Sequence, residues 1–416
     1  MTHRAVVTGI GCVSPNGLGR ESFAGAIRAG RSGVGKVSLF DPEGLPVTIA
    51  AEVKGFDPTD HLPAKEVARL SRAVPMAIAA STEALEDAGI DWSRLTLEQS
   101  RELNVILGTG GGAIEFAERM YHLYYTGQQR KASAHTISTG TIGTMSSELS
   151  MRFGLRGFSH VITTGCASST DALGYAFRAI KHGEASIFLV GGVDATIVRG
   201  IMEGFILMRV VSMRRDHRPE EASRPFAGDR DGFVLGEGSW MFVVEELGRA
   251  RARGARIYGE IGGYGATCDA HHRIRLDESG EEPARAMALA MEEARLSPGD
   301  IGYLAYHGTS TDLNDRTETR AVKKAFGDAA RALPGSSIKS MIGHPQGACG
   351  AAGVAATLLA MRDGFLPPTI NLGTADPECD LDYVPNAARE ARFDAALCNC
   401  IAFGSKNSAL VVGRVP

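Results

Sequence analysis

The sequence predicts an α/β fold with mostly parallel, buried sheets, and three observations carry that prediction. Apolar runs of strand length alternate with segments of helical spacing along most of the 416 residues. Runs such as Ala5-Val6-Val7, Asn104-Val105-Ile106-Leu107 and Ile187-Phe188-Leu189-Val190 are apolar at successive positions and lead into glycine, as strands covered on both faces do. A basic connector at 248–254 (GRARARG) separates two series of comparable order, and the halves are taken as 1–250 and 251–416.

In chain order, a strand over 5–11 ends in glycine turns and is followed by Pro15-Asn16-Gly17 and a short helix over 23–29. Residues 32–60 read as loop with short strands. A helix over 63–89 spaces Ala77, Ala80, Ala84 and Ala88 for close packing, and Pro75 should kink it or mark its true start. The strand at 104–108 runs into Thr109-Gly110-Gly111-Gly112, and 139–153 reads as a helix. Val161-Ile162-Thr163-Thr164-Gly165-Cys166 is a strand that turns through glycine into a helix continuing over 171–178. A strand at 187–192, a loop-rich block at 223–238 and a strand at 240–245 complete the first series. The second has a strand over 256–263, a helix over 281–294, a strand over 301–306, helices over 318–326 and 348–361, and closing strands within 397–412. No short-period repeat is visible.

Composition narrows the function. A formal charge of −4 with few charge runs gives nothing to draw nucleic acid. No apolar run is long enough to span a membrane, and residues 1–4 lead straight into the first strand with no room for a signal peptide. Seven irregularly spaced cysteines point to reduced thiols and a cytoplasmic setting. Cys398-x-Cys400 and His271-His272 match no common zinc spacing, and the glycines at 108–112 lack the downstream acidic residue of a dinucleotide site. Neither a metal nor a nucleotide cofactor is expected.

The chemistry-bearing residues share one local pattern. Cys166 sits at a strand-to-helix corner, where the free N–H groups of the first helical turn and the helix dipole favour thiolate. His307, in Tyr306-His307-Gly308-Thr309-Ser310-Thr311, lies at a strand end. His344, in Ile342-Gly343-His344-Pro345, lies in a glycine-flanked loop entering a helix. One cysteine and two histidines at element ends are the parts of thiolate-based acyl transfer.

The motifs TGCASS, SRPF…RDGFVLGEG, HGTST, KSMIGHPQGACGAAG and NCIAFGSKNSAL, in that order and over essentially the whole chain, resemble the β-ketoacyl-acyl carrier protein synthases. More closely, they resemble the elongating ketosynthases of bacterial fatty acid and type II polyketide systems. The resemblance implies a thiolase-like five-layer αβαβα fold with two duplicated halves, the first carrying the cysteine and the second both histidines, and an obligate dimer. It implies that Cys166 accepts the acyl chain, while His307 and His344 bind the extender carbonyl and support decarboxylation. Lys339 matches the lysine five residues before the second histidine, and Glu318 its usual carboxylate partner. Thr309 and Thr311 match threonines that hydrogen-bond the phosphopantetheine arm. Phe403 matches a gating phenylalanine whose N–H, with that of Cys166, would form an oxyanion hole. The implied partner is an acidic acyl carrier protein, met by Lys65, Arg69 and Arg72 on one patch and Arg209, Arg214 and Arg215 on another. No cofactor is implied beyond the carrier's phosphopantetheine.

Three departures stand out against this pattern. Gly111 replaces a bulky residue that commonly limits the acyl pocket, so it either enlarges the tunnel or answers backbone crowding. Asp312-Leu313-Asn314-Asp315-Arg316 follows HGTST in a form nearer to polyketide ketosynthases, and Ile401-Ala402-Phe403-Gly404-Ser405-Lys406-Asn407 alters the gating loop. These features point to polyketide, polyene or specialised fatty acid synthesis, as a homodimer or paired with a sister subunit resembling a chain-length factor. Two rivals compete. A thiolase acting on coenzyme A thioesters would lack HGTST, Lys339 and RDGFVLGEG, and a non-catalytic chain-length subunit would lack Cys166. Glu237 reads as structural.

Overall fold

The computed structural model describes residues 3–415. One path is traced twice. In the first half, strand β1 (Ala5–Ser14) is followed by helix α1 (Ala73–Asp87), β2 (Leu103–Gly108), α2 (Thr144–Phe153), β3 (Ser159–Ile162), α3 (Ser168–Lys181), β4 (Ile187–Asp194) and β5 (Gly238–Glu246). In the second, β6 (Gly259–Cys268) is followed by α4 (Glu281–Ala294), β7 (Tyr303–Ala305), α5 (Asp312–Phe326), β8 (Gly335–Ser336), α6 (Cys349–Asp363), β9 (Ala395–Ala402) and β10 (Lys406–Gly413).

These strands pair in the order β3-β2-β4-β5-β1-β6-β10-β9-β7-β8. Counted outward from the centre, both halves have the same order. Their first strands, β1 and β6, abut antiparallel through three residue pairs, from Ala5 opposite Ile261 to Val7 opposite Gly259. Only the outer three strands of each half are parallel; β5 and β1, like β10 and β6, run antiparallel to their neighbours. The expectation of mostly parallel sheets is corrected to that extent. In the second half the cause is local: a three-residue turn joins β9 to β10, and so short a connection permits only antiparallel pairing.

Side chains alternate between layers along these strands. On β4, Ile187 and Leu189 pack with α1 and α2, while Phe188 and Val190 join a central cluster with Leu173 and Phe177 of α3 and Leu358 and Leu359 of α6. On the far side Met287 and Ala290 of α4 and Val322 of α5 cover Leu304, Leu397 and Val411. Five layers result, helix–sheet–helix–sheet–helix, with α3 and α6 innermost.

The outer helices approach the strands by the same device in each half. A Cβ on Gly9 or Gly11 would lie 2.0 or 1.9 Å from the carbonyl oxygens of Ala84 and Ala80 in α1. At Gly263 and Gly265 of β6 it would lie 2.0 Å from those of Ala290 and Ala286 in α4. Only glycine permits this contact.

Some boundaries differ from the sequence reading. The helix expected over 63–89 is a short turn, Ala64–Val67, then α1, with Pro75 in the first turn of α1, where a missing N–H costs nothing. The helix expected over 139–153 is likewise a short piece, Thr136–Gly140, followed by α2. The basic connector is itself helical over Leu247–Ala252, its N-terminus capped by the Glu246 side chain, and Arg249 and Arg253 pair with buried Glu245. Among the described residues no helix is long and apolar enough to cross a membrane.

Candidate active site

The doubled path explains how three distant residues meet. Cys166 lies just ahead of α3 and His344 just ahead of α6, so the two inner helices present them from equivalent places. At the first corner Gly165, at φ 67°, lets the chain turn out of β3, and Thr164 Oγ1 donates to Asp171 Oδ2 at 2.5 Å. At the second, the motif VLGEG holds the histidine by its backbone. The His344 N–H donates to the Val234 carbonyl at 2.7 Å, and its own carbonyl accepts from Gly236 N–H at 3.0 Å. His307 follows the end of β7.

Cys166 Sγ stands 3.2 Å from His344 Nε2. The two imidazoles meet edge to face, 5.5 Å between centroids. All three residues are buried and line a cavity of about 400 Å³, whose wall also holds Thr309, Thr311 and Phe403. The Thr309 and Thr311 hydroxyls lie 2.8 Å apart, and Asp315 Oδ1 accepts the Thr309 N–H at 3.0 Å.

The Lys339–Glu318 pair expected from the sequence does not form. Glu318 accepts the N–H groups of His307 and Gly308, each at 2.7 Å, and the Asn399 amide at 2.6 Å. Lys339 Nζ donates to the His307 carbonyl at 2.6 Å and lies 3.4 Å from His307 Nδ1. With three donors the carboxylate is already satisfied, so the ammonium binds the main chain instead.

Burial governs the protonation states. It lowers His307 well below the ordinary imidazole range, with Lys339 and then His344 adding to the effect, and lowers His344 likewise, with Lys339 adding. Both rings are therefore neutral at neutral pH. Burial pushes the Cys166 thiol up to about 12, with Cys349 adding, while Lys339 and the Phe403 N–H that bonds the sulfur act the other way. The expectation of a resting thiolate is corrected: at only 4% exposure, desolvation outweighs the helix N-terminus, and the pair rests as thiol and imidazole. Glu318 is raised to about 7 by burial, despite its donors.

Other sequence-predicted positions fare differently. Phe403 opens the β9–β10 turn and lines the cavity; the turn is tied down by Gly404 N–H to the Arg273 carbonyl and Ser405 Oγ to the His272 carbonyl, both 3.0 Å. Gly111 is not in the cavity wall. Its N–H donates to Asp194 at 2.8 Å, and a Cβ there would sit 2.2 Å from the Thr196 methyl, a side-chain contact and not the backbone crowding expected from the sequence. Lys65, Arg69, Arg209 and Arg214 are exposed. Arg72 is not free to dock: it makes a double hydrogen bond to fully buried Glu237, which needs a counter-charge. Arg215 is likewise engaged, by Asp229 and Glu221.

Sequence reasoning missed Asp194, whose carboxylate gathers Thr109 Oγ1 and the N–H groups of Gly110, Gly111 and Gly347, joining the glycine turn to the loop after His344. It also missed Cys349 and Cys400 as neighbours of the site. Both thiols reach the Cys166 carbonyl, at 3.2 and 3.1 Å, and Cys400 Sγ is 3.5 Å from His307 Nδ1. Each lay inside a motif already singled out, but nothing in the spacing set it apart from core.

The family model for the β-ketoacyl synthase N-terminal domain matches residues 2–250, and that for the C-terminal domain residues 258–373. The 3-oxoacyl-[acyl-carrier-protein] synthase 2 of Coxiella burnetii is 40% identical over 412 residues, covering 99% of both chains. The tetracenomycin polyketide synthase ketoacyl synthase alpha subunit of Streptomyces glaucescens is 39% identical over 418 residues, covering 99% of this chain and 97% of its own. Among solved structures, the ishigamide ketosynthase/chain length factor superposes with a TM-score of 0.92 at 33% identity over 100% of both chains.

Proposed function

Because the chain belongs to the β-ketoacyl synthase family, we propose that it joins a Cys166-bound acyl chain to malonyl-acyl carrier protein by decarboxylative Claisen condensation, in polyketide, polyene or specialised fatty acid synthesis. The 3.2 Å contact between Cys166 Sγ and His344 Nε2, with His307 in the same cavity, carries this reading.

The steps follow from the protonation states. A carrier-bound acyl thioester enters; His344 takes the thiol proton as the sulfur attacks, and returns it to the departing pantetheine thiol. The Cys166 and Phe403 N–H groups hold the tetrahedral oxyanion, an arrangement worth about 3–4 kcal/mol per donor in comparable sites. Malonyl-carrier protein follows and loses carbon dioxide. His307 and His344, both neutral, donate Nε2–H to the thioester oxygen as it becomes an enolate; His344, which used a bare Nε2 in the first step, does so once its ring proton has passed from Nδ1 to Nε2 through solvent as the carriers exchange. The contact of Lys339 Nζ with His307 Nδ1 favours the tautomer with its proton on Nε2. The enolate carbon attacks the acyl-Cys166 carbonyl and the sulfur leaves as thiolate, which takes up one proton from solvent to return to the resting thiol. No redox or nucleotide cofactor enters these steps.

The carrier named in the Coxiella relative supports the carrier as substrate, and the ketosynthase/chain-length-factor neighbour supports a sister subunit as one of two dimer partners, the other being a second copy. Lys65, Arg69, Arg209 and Arg214 are the docking cations in this reading. The seam between halves falls near residue 250, and seven unpaired cysteines support a cytoplasmic setting. Incubation with malonyl-carrier protein and a panel of acyl-carrier proteins, followed by intact-protein mass measurement, tests the proposal. Acyl mass on wild type and none on Cys166→Ala is expected; turnover of acyl-coenzyme A without malonyl would replace this reading with a thiolase.

A further inference from the structure

The wall of the catalytic cavity carries one permanent charge. Among the described residues Arg275 is the only lining residue that is ionised at every neutral pH; the rest are apolar, hydroxyl, amide, thiol or imidazole groups. Its guanidinium has no hydrogen-bond or ion-pair partner among the described residues, whereas Arg72, Arg224 and Arg230 are all paired. Its main chain is set by His272, whose Nδ1 accepts the N–H groups of Ile274 and Arg275 at 3.0 and 3.1 Å.

Arg275 is exposed while Cys166, His307 and His344 are buried in the same cavity, so the cavity runs from the reacting groups out to solvent past this guanidinium. Met208 and Val210 bracket exposed Arg209 in the wall, and Ile274 follows exposed Arg273; these two arginines also lack partners among the described residues. An unpaired guanidinium in a wall that holds no carboxylate is a place for an anion, and its planar fork suits phosphate.

The proposed substrate has two anionic groups. The malonyl carboxylate is bonded to the carbon that attacks the Cys166 thioester, so it belongs at the buried end. The phosphate lies at the opposite end of the pantetheine arm. We propose that Arg275 binds the phosphate that terminates the pantetheine arm and so selects phosphorylated thioesters over unphosphorylated ones. This inference rests on the ketosynthase reading above.

The test compares malonyl-pantetheine with malonyl-4′-phosphopantetheine on the full-length protein, in wild type, Arg275→Ala and Arg275→Lys. The phosphate should raise kcat/KM for decarboxylation about tenfold in wild type, through KM. That ratio should fall to about one in Arg275→Ala and recover in part in Arg275→Lys. A ratio of one in wild type, or one that survives in Arg275→Ala, overturns the inference. Equilibrium binding of phosphopantetheine against pantetheine gives the same comparison without turnover, so failure of the ketosynthase reading does not mask it. Malonyl-carrier protein and malonyl-coenzyme A separate the two sources of the phosphate. A loss with the carrier and with malonyl-phosphopantetheine supports the assignment; a loss confined to coenzyme A, which has additional phosphates, overturns it.

Discussion

Glu318 and Lys339 grip the same residue from opposite ends of its main chain: the carboxylate accepts the His307 N–H, and the ammonium donates to the His307 carbonyl oxygen. Neither charge touches the other, yet together they fix where the imidazole points. A further donor, Asn399, ties Glu318 to β9, so the position of His307 is set jointly by β7, α5, β9 and the segment before His344.

This arrangement makes stability depend on pH in a defined direction. Glu318 titrates at about 7 in the fold against an ordinary value of 4.5, so the folded chain binds the proton more tightly than the unfolded one. Its contribution is fully present below about pH 4.5 and is lost as pH rises through about 7, by up to about 3 kcal/mol. The stability of wild type minus that of Glu318→Gln, from denaturant melts, should therefore shrink between about pH 5 and pH 8. A difference that stays flat would contradict the assignment.

The resting thiol at Cys166 predicts how the site meets an electrophile. With the thiol at about 12, alkylation by iodoacetamide should keep climbing with pH and show no plateau below about 9. His344→Ala removes the adjacent base and should slow Cys166 alkylation at pH 7 by about 10²-fold or more. Mass spectrometry of the Cys166 peptide reads both; a plateau near pH 7 would mean a thiolate at rest.

Gly111 separates crowding from pocket size. Gly111→Ala places a methyl group 2.2 Å from the Thr196 methyl and should cost about 1–3 kcal/mol. Thr196→Gly in the same chain should recover most of that loss in a thermal melt. If Gly111→Ile melts like wild type and shortens the accepted acyl chain, the residue governs the tunnel instead.

Among the cations, charge reversal should sort docking from structure. Lys65→Glu with Arg69→Glu should weaken carrier-protein binding severalfold at low salt, less at high salt, and leave the melting temperature unchanged. Arg72→Ala leaves the buried Glu237 carboxylate without its partner and should destabilise the fold by about 3–5 kcal/mol. Carrier affinity measured alongside the melts distinguishes the two groups.

Much of the architecture was legible because strands leave short apolar runs ending in glycine, and Cys166, His307 and His344 each stand at such an ending. The motif resemblance supplied the layers, which periodicity alone could not. Strand direction was not legible, since an apolar run such as residues 240–245 reads alike whether its neighbour runs parallel or antiparallel. Nor was the partner of a buried charge. Arg72 has the spacing of a surface cation, and only the fold reveals Glu237 beneath it. The state of the Cys166 thiol was misread because a helix N-terminus is visible in sequence, whereas the depth of its burial is not. Asp194 went unnoticed because its four donors come from two stretches of chain, 109–111 and Gly347, both distant from it in sequence.

The seam between β1 and β6 spans three residue pairs, yet the sulfur belongs to one side of it and both imidazoles to the other. Fragments produced separately and cut at the 248–254 connector would each be chemically mute. Reconstitution would have to restore the pairing of Cys166 with His344 before any acyl donor could mark the cysteine, so acylation would report that the two fragments had closed on each other.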